Sequence, residues 1–237
     1  MTASAHPDAL LQRIVSRTRY LLLDFDGPVC SVFAGMPADT VAGRLRRRLA
    51  AAGVAIPAEV RSASDPLEVF RVVAARGRDA GQRAQRELTL LEVQAVTTAQ
   101  PADGAAELII AARQSGRGVA IVSNNSGQAV ATYLDRHRLS RYVSAVIGRD
   151  DPDPAHMKPS PYRVRLALQM LRAAPAECVL VGDQVSDITA AHAADLAAIG
   201  YANKPGKDER LAQAGADAVI TRLADLREAI TAEAVRA

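Results

Sequence analysis

A chain of 237 residues that is 49% hydrophobic and 23% charged, with a mean hydropathy of +0.01, has the composition of an ordinary globular fold. A fold of this size buries roughly 70% of its unfolded surface and needs no disulfide framework or structural zinc; the two cysteines, Cys30 and Cys178, flank no CxxC spacing. The net charge of +3, the absence of Trp and an aromatic share of 3% argue against a nucleic-acid partner, and no stretch approaches the roughly 18 apolar residues of a membrane span.

Residues 1–20 carry no basic segment leading into an apolar one, so the expected location is the cytoplasm, as a monomer or homodimer. Tyr20–Leu23 is the first short apolar run, and it ends at Asp24. From residue 31 to 97 no convincing strand follows; helical spacing recurs instead around 39–52, 66–76 and 81–94, punctuated by Gly53, Pro57, Pro66 and Gly77. Apolar runs then resume at Val119–Val122, ending at Ser123, and at Cys178–Val181, ending at Gly182 and Asp183; weaker ones lie at 143–147, 197–201 and 218–220. Between them, 104–114, 126–138, 161–172, 186–195 and 223–235 have helical spacing.

Short apolar strands alternating with helices predict an α/β fold with a doubly wound, Rossmann-like parallel sheet. The helical interval is too long for a crossover, so the expected organisation is an α/β core, residues 1–30 and 98–237, with a small all-α cap domain, 31–97, inserted after the first strand. In such sheets ligands bind outside the carboxyl ends of the strands, which directs attention to the polar residues closing the three best runs. They are Asp24-Phe25-Asp26-Gly27, Ser123-Asn124-Asn125 and Gly182-Asp183-Gln184-Val185-Ser186-Asp187. Lys158, one of only three lysines among 29 basic residues, lies in Lys158-Pro159-Ser160-Pro161. Each alone is ordinary turn or helix-cap chemistry; together and in this order they are not.

The four segments resemble, in order, the DxDG, Ser/Thr, KPxP and GDxxxD motifs of the haloacid dehalogenase (HAD) superfamily, in its phosphoglycolate phosphatase and β-phosphoglucomutase-like branch. The resemblance implies a Mg²⁺-dependent phosphatase of a small phosphorylated metabolite. Asp24 would be the nucleophile that forms an aspartyl-phosphate, and Asp26 the acid and base for the leaving group and water. Ser123 and Asn124 would bind the phosphate, aided by the helix N-terminus near Ser126, and Lys158 would balance its charge and that of Asp24. Asp24, Asp26 through its backbone carbonyl, Asp183 and Asp187 would be the Mg²⁺ ligands, Asp187 through water or by orienting Lys158. Asp26 sets the chain apart from the superfamily's dehalogenases, which lack the second aspartate, and the absence of lysine between 31 and 97 from those members that use a cap Schiff base. A sugar phosphomutase sharing the same intermediate, and a non-catalytic binding module, remain the alternatives.

The cap interval is rich in arginine: Arg44, Arg46, Arg47, Arg48, Arg61, Arg71, Arg76, Arg78, Arg83 and Arg86. Most are expected on solvated faces, with one or two reaching a second anionic group of the substrate. Phe33 and Met36 are candidates for the site entrance. The four histidines, His6, His137, His156 and His192, lack metal-ligand spacing and are expected in solvent.

Overall fold

A computed structural model describes residues 7–236; His6 lies outside them. In chain order the elements are α1 (Pro7–Val15), β1 (Tyr20–Leu23), β2 (Cys30–Ser31), α2 (Ala38–Ala51), α3 (Pro66–Ala74), α4 (Arg78–Ala95), β3 (Gln100–Pro101), α5 (Ala105–Gln114) and β4 (Gly118–Val122). There follow α6 (Gly127–Arg136), β5 (Ala145–Ile147), α7 (Tyr162–Leu171), β6 (Cys178–Gly182), α8 (Val185–His192), β7 (Ala197–Tyr201), α9 (Lys207–Gln213), β8 (Ala218–Ile220) and α10 (Leu223–Arg236).

Six strands form one parallel sheet in the order β5-β4-β1-β6-β7-β8. Its strands are buried on both faces, and the period of two sorts their side chains between two apolar layers. Leu21, Leu23, Val119, Ile121, Val179 and Val181 pack on one side, with residues of α1, α5, α6 and α10. Leu22, Ala120, Val122 and Leu180 pack on the other, with α7, α8 and α9. Each fully buried Leu or Val stabilises the fold by about 1.5–3 kcal/mol, so the alternation itself dictates a three-layer α/β sandwich.

Helices α2, α3 and α4 contribute a third apolar cluster that includes Leu45, Leu49, Phe70, Leu88 and Leu91. Asp65 caps α3 by accepting from the Leu67 N–H, and Pro66 occupies the first turn, where its missing N–H costs nothing. The two chain crossings between sheet and helices are tied together by an antiparallel ribbon, Cys30 with Pro101 and Ser31 with Gln100. At two residues a strand it is too short for periodicity to announce, and it extends strand structure into Ser31, inside the interval read as wholly helical. Two short helices, α1 and α9, lie outside the helical intervals expected from the sequence.

Candidate active site

The chain leaves β1 for one neighbour, β4, and returns on the other side at β6, so strand order reverses at β1. Register brings the three carboxyl ends within one residue of each other, with Leu23 opposite both Ile121 and Val181. Asp24, Ser123 and Asp183 follow these ends directly. Phe25 is fully buried, edge-on to Tyr133 at 5.3 Å between ring centroids, which anchors the turn that carries both Asp24 and Asp26. Gly27 completes it at φ +139°, and a Cβ there would stand 2.5 Å from the Asp183 carboxyl carbon. Only glycine combines that backbone with so close an approach.

Lys158 is 2% exposed, and its ammonium donates to Asp24 Oδ1 at 2.7 Å and to the Val122 carbonyl at 3.0 Å, with Asp187 Oδ1 at 2.6 Å. Asp26 Oδ1 accepts from the Val32 N–H at 3.0 Å. Ligand oxygens of Asp24, Asp183 and Asp187 lie within 4.8 Å of one another. Burial is the largest influence on Asp24 and raises it to about 7; Lys158 opposes, while Asp187 and Asp183 add to the rise. Burial likewise raises Asp26 to about 6, against the Val32 hydrogen bond. For Lys158 burial alone would favour the neutral amine, but Asp187 and Asp24 outweigh it and hold the ammonium above its ordinary range. Burial therefore dominates the pKa of both aspartates, whereas the neighbouring carboxylates dominate that of the lysine.

The site also contains a residue not expected there, Lys207, at the start of α9, which ion-pairs with Asp183 Oδ2. Asn203 and Gln184 donate to the same oxygen at 3.2 and 3.3 Å. The other oxygen, Oδ1, is buried without a hydrogen-bond partner. Three carboxylates, those of Asp24, Asp183 and Asp187, thus converge, and an orphaned oxygen of Asp183 sits among them. A buried all-oxygen donor set with an unpartnered carboxylate oxygen fits a hard divalent cation such as Mg²⁺.

The phosphate-directed groups differ in detail from expectation. Ser123 Oγ is 3.2 Å from Asn125 Oδ1 and accepts from the Asn125 N–H at 3.1 Å. The Asn124 side chain bonds the Lys158 backbone, accepting from its N–H at 2.8 Å, so it holds the lysine loop in place. The first donors of α6, expected to aid phosphate binding, are taken: Ser126 N by Glu92 at 2.9 Å, Gly127 N by Asp150 at 3.0 Å and Ala129 N by Ser126 Oγ at 3.3 Å. The Asn124 N–H, by contrast, has no partner among the described residues.

Glu92 itself was unexpected. On α4, it pairs with Arg149 at 2.8 Å, both side chains fully buried, and accepts from Asn125 Nδ2 at 3.3 Å. No local signal marks the pair, because an amphipathic helix is full of glutamates and its partner is 57 residues away.

These groups open on a cleft of about 730 Å³ whose far wall comes from the helices: Pro37, Asp39, Ser64, Asp65, Leu67 and Arg71. Of the ten arginines named above, Arg71 alone lines it. Arg46 donates to the Val60 and Ala63 carbonyls, Arg48 pairs with Glu87, and Arg76 with Glu59. Phe33 lines the cleft, whereas Met36 packs among apolar side chains. The described histidines are not simply solvated: His137 stacks on Tyr133, His156 on Tyr162 beside Asp151, and His192 pairs with Asp217.

A parallel sheet that gathers aspartates and a buried lysine at its switch point has its site where α/β enzymes bind their ligands. The chain belongs to the haloacid dehalogenase-like hydrolases, whose family profile matches residues 18–195, about three quarters of its length. It is 28% identical over 127 residues to a phosphoglycolate phosphatase of Photobacterium profundum, 54% of this chain and 55% of that one. It is 31% identical over 124 residues to the pyrophosphatase PpaX of Listeria monocytogenes, 52% of this chain and 56% of that one. The chain thus spans about half the length of the curated relatives it matches. Among solved structures it resembles a predicted phosphatase from Clostridium acetobutylicum, with TM-score 0.69, 17% identity and coverage of 90% and 98% of the two chains. It also resembles CbbY from Rhodobacter sphaeroides in complex with xylulose-(1,5)bisphosphate, with TM-score 0.61, 21% identity and coverage of 87% and 95%.

Proposed function

We propose that the protein is a phosphatase of small phosphomonoesters that works through a phosphoryl group carried on Asp24. The observation that carries this reading is the Lys158 ammonium held between Asp24 and Asp187 at the switch point of the sheet. The lysine prevents the nucleophile and its acidic neighbours from repelling an incoming phosphate dianion. A carboxylate oxygen of Asp24 forms the bond to phosphorus as the ester oxygen departs. Asp26, raised to about 6, retains enough of its proton near neutrality to deliver it to that oxygen. Asp26 then accepts a proton from water, which attacks phosphorus, releases inorganic phosphate and restores Asp24. Ser123 and the Asn124 N–H hold the non-bridging oxygens. Asp24, Asp183, Asp187 and the Asp26 carbonyl would hold Mg²⁺, which when bound supplies charge that neutralises the transferring group.

We read residues 31–97 as a cap that shields the phosphoryl group from water. Arg71, its one cation on the cleft wall, is the group suited to a second anionic centre on the substrate. Phosphoglycolate, pyrophosphate and sugar bisphosphates, the compounds named for its relatives and neighbour, all carry such a centre. The test is phosphate release from a panel of these and of neutral-tailed esters, with and without Mg²⁺. Mg²⁺-dependent release is expected. Exchange of phosphate between sugar positions without release would mark a mutase, and inertness of the folded protein to the whole panel a binding module.

A further inference from the structure

The Glu92–Arg149 pair is buried completely, and a buried ion pair is weak evidence of stabilisation, because desolvation offsets most of the attraction. What it touches is more telling. Glu92 and Gln85, from α4, and Phe70, from α3, grip Arg149 in the loop after β5; the guanidinium lies 4.4 Å over the Phe70 ring, and the Gln85 side chain bonds it and its backbone. From that position Arg149 donates through Nε to the Asn124 carbonyl at 3.0 Å and through its N–H to the Asn125 carbonyl at 2.8 Å. Glu92 takes the Ser126 N–H and the Asn125 side chain. Every residue of the loop from Asn124 to Ser126 is therefore held by at least one member of the pair, and Asn125 by both.

The pairing also determines which way Asn125 faces. A carboxylate is acceptor-only, so Asn125 must turn Nδ2 to Glu92 and Oδ1 to the Ser123 hydroxyl. The ion pair thereby orients a group expected to meet the phosphate, across one intervening side chain. An apolar pair of similar volume would fill the same space without doing so.

We infer that Glu92 and Arg149 are positioning residues for the phosphate-binding loop, through which the seating of α3 and α4 sets the geometry of Ser123 and Asn124. This rests on the phosphatase reading. Inorganic phosphate, the reaction product, serves as probe: its inhibition constant is measured for the wild type, Glu92→Gln and Arg149→Lys, together with kcat, KM and thermal midpoints. Assays are run well below every midpoint. Leu226→Ala, a buried α10 residue on the sheet face packed by α1, α5 and α6, supplies a variant destabilised for unrelated reasons. Both pair variants are expected to weaken phosphate inhibition at least about tenfold, with Leu226→Ala near the wild type. If the pair variants lose thermal stability but inhibit like Leu226→Ala, the pair is merely structural and the inference is overturned. Should Glu92→Gln fail to fold, Arg149→Lys, which retains the charge but not the planar fork, decides alone. A wild type that neither hydrolyses the panel nor binds phosphate would instead sink the phosphatase reading, and this inference with it.

Discussion

Lys158 is the residue on which the electrostatics turn. It stands within 2.7 Å of Asp24 and 2.6 Å of Asp187, and Lys158→Ala would leave two buried carboxylates facing an incoming dianion. Turnover is expected to fall at least about 10²-fold, measured as initial rate of phosphate release. Near wild-type rates would contradict the role. Lys207 makes a different claim, since its ammonium occupies an oxygen of Asp183, one of the groups proposed to hold the metal. Removing that competing charge in Lys207→Met is expected to tighten Mg²⁺ binding, read by calorimetry on protein without substrate; unchanged or weaker binding would show that the lysine steadies the aspartate. Gly27→Ala should lose activity because a methyl group and the Asp183 carboxyl cannot share the space, in a backbone that side chains rarely adopt. Asp24, Lys158 and Asp183 were legible because each closes a strand or stands out in an arginine-rich chain. Lys207 was not, because an exposed-looking run of charges, Lys207-Asp208-Glu209-Arg210, gives no hint that its first member folds back onto β6.

Among the elements, the strands were the easiest to read, since burial on both faces demands unbroken apolar runs and turn residues mark their ends. The helices were located by their spacing, some ends to the residue, as at Pro66, Gln114 and Leu223, and others displaced: Ser126, for example, is the cap of α6 rather than its first residue. What spacing does not reveal is which polar residue of a helix turns inward. Glu92 sits in an amphipathic stretch where charge usually means solvent, and its burial depends on Arg149 arriving from a distant loop. Removing one partner of such a pair costs about 3–5 kcal/mol. Glu92→Ala is accordingly expected to lower the thermal midpoint by more than Glu87→Ala, which loses only a half-exposed contact to Arg48. Equal midpoints would show that the buried pair carries no structural weight.

At the scale of the molecule, a sheet with helices on both faces fixes where the cleft lies, and three helices inserted between β2 and β3 supply its far wall. Among the described residues no helix is long and apolar enough to cross a membrane. The parallel sheet and the position of the cleft follow from the alternation of strands and helices; the wall contributed by α2 and α3 does not, because ten arginines look alike in sequence and only folding singles out Arg71. Arg71→Ala is expected to raise KM for substrates with a second anionic group about tenfold or more while leaving neutral-tailed esters unaffected, and equal effects on both would refute that assignment. A phosphoryl group on Asp24 is trapped by rapid acid quench during turnover with the best substrate of the panel, followed by mass spectrometry of the peptide containing Asp24. One added phosphoryl group on Asp24 is expected in the wild type and none in Asp24→Asn, which should also release no phosphate. Release of phosphate by Asp24→Asn at the wild-type rate, with no modified peptide in either protein, would contradict that intermediate.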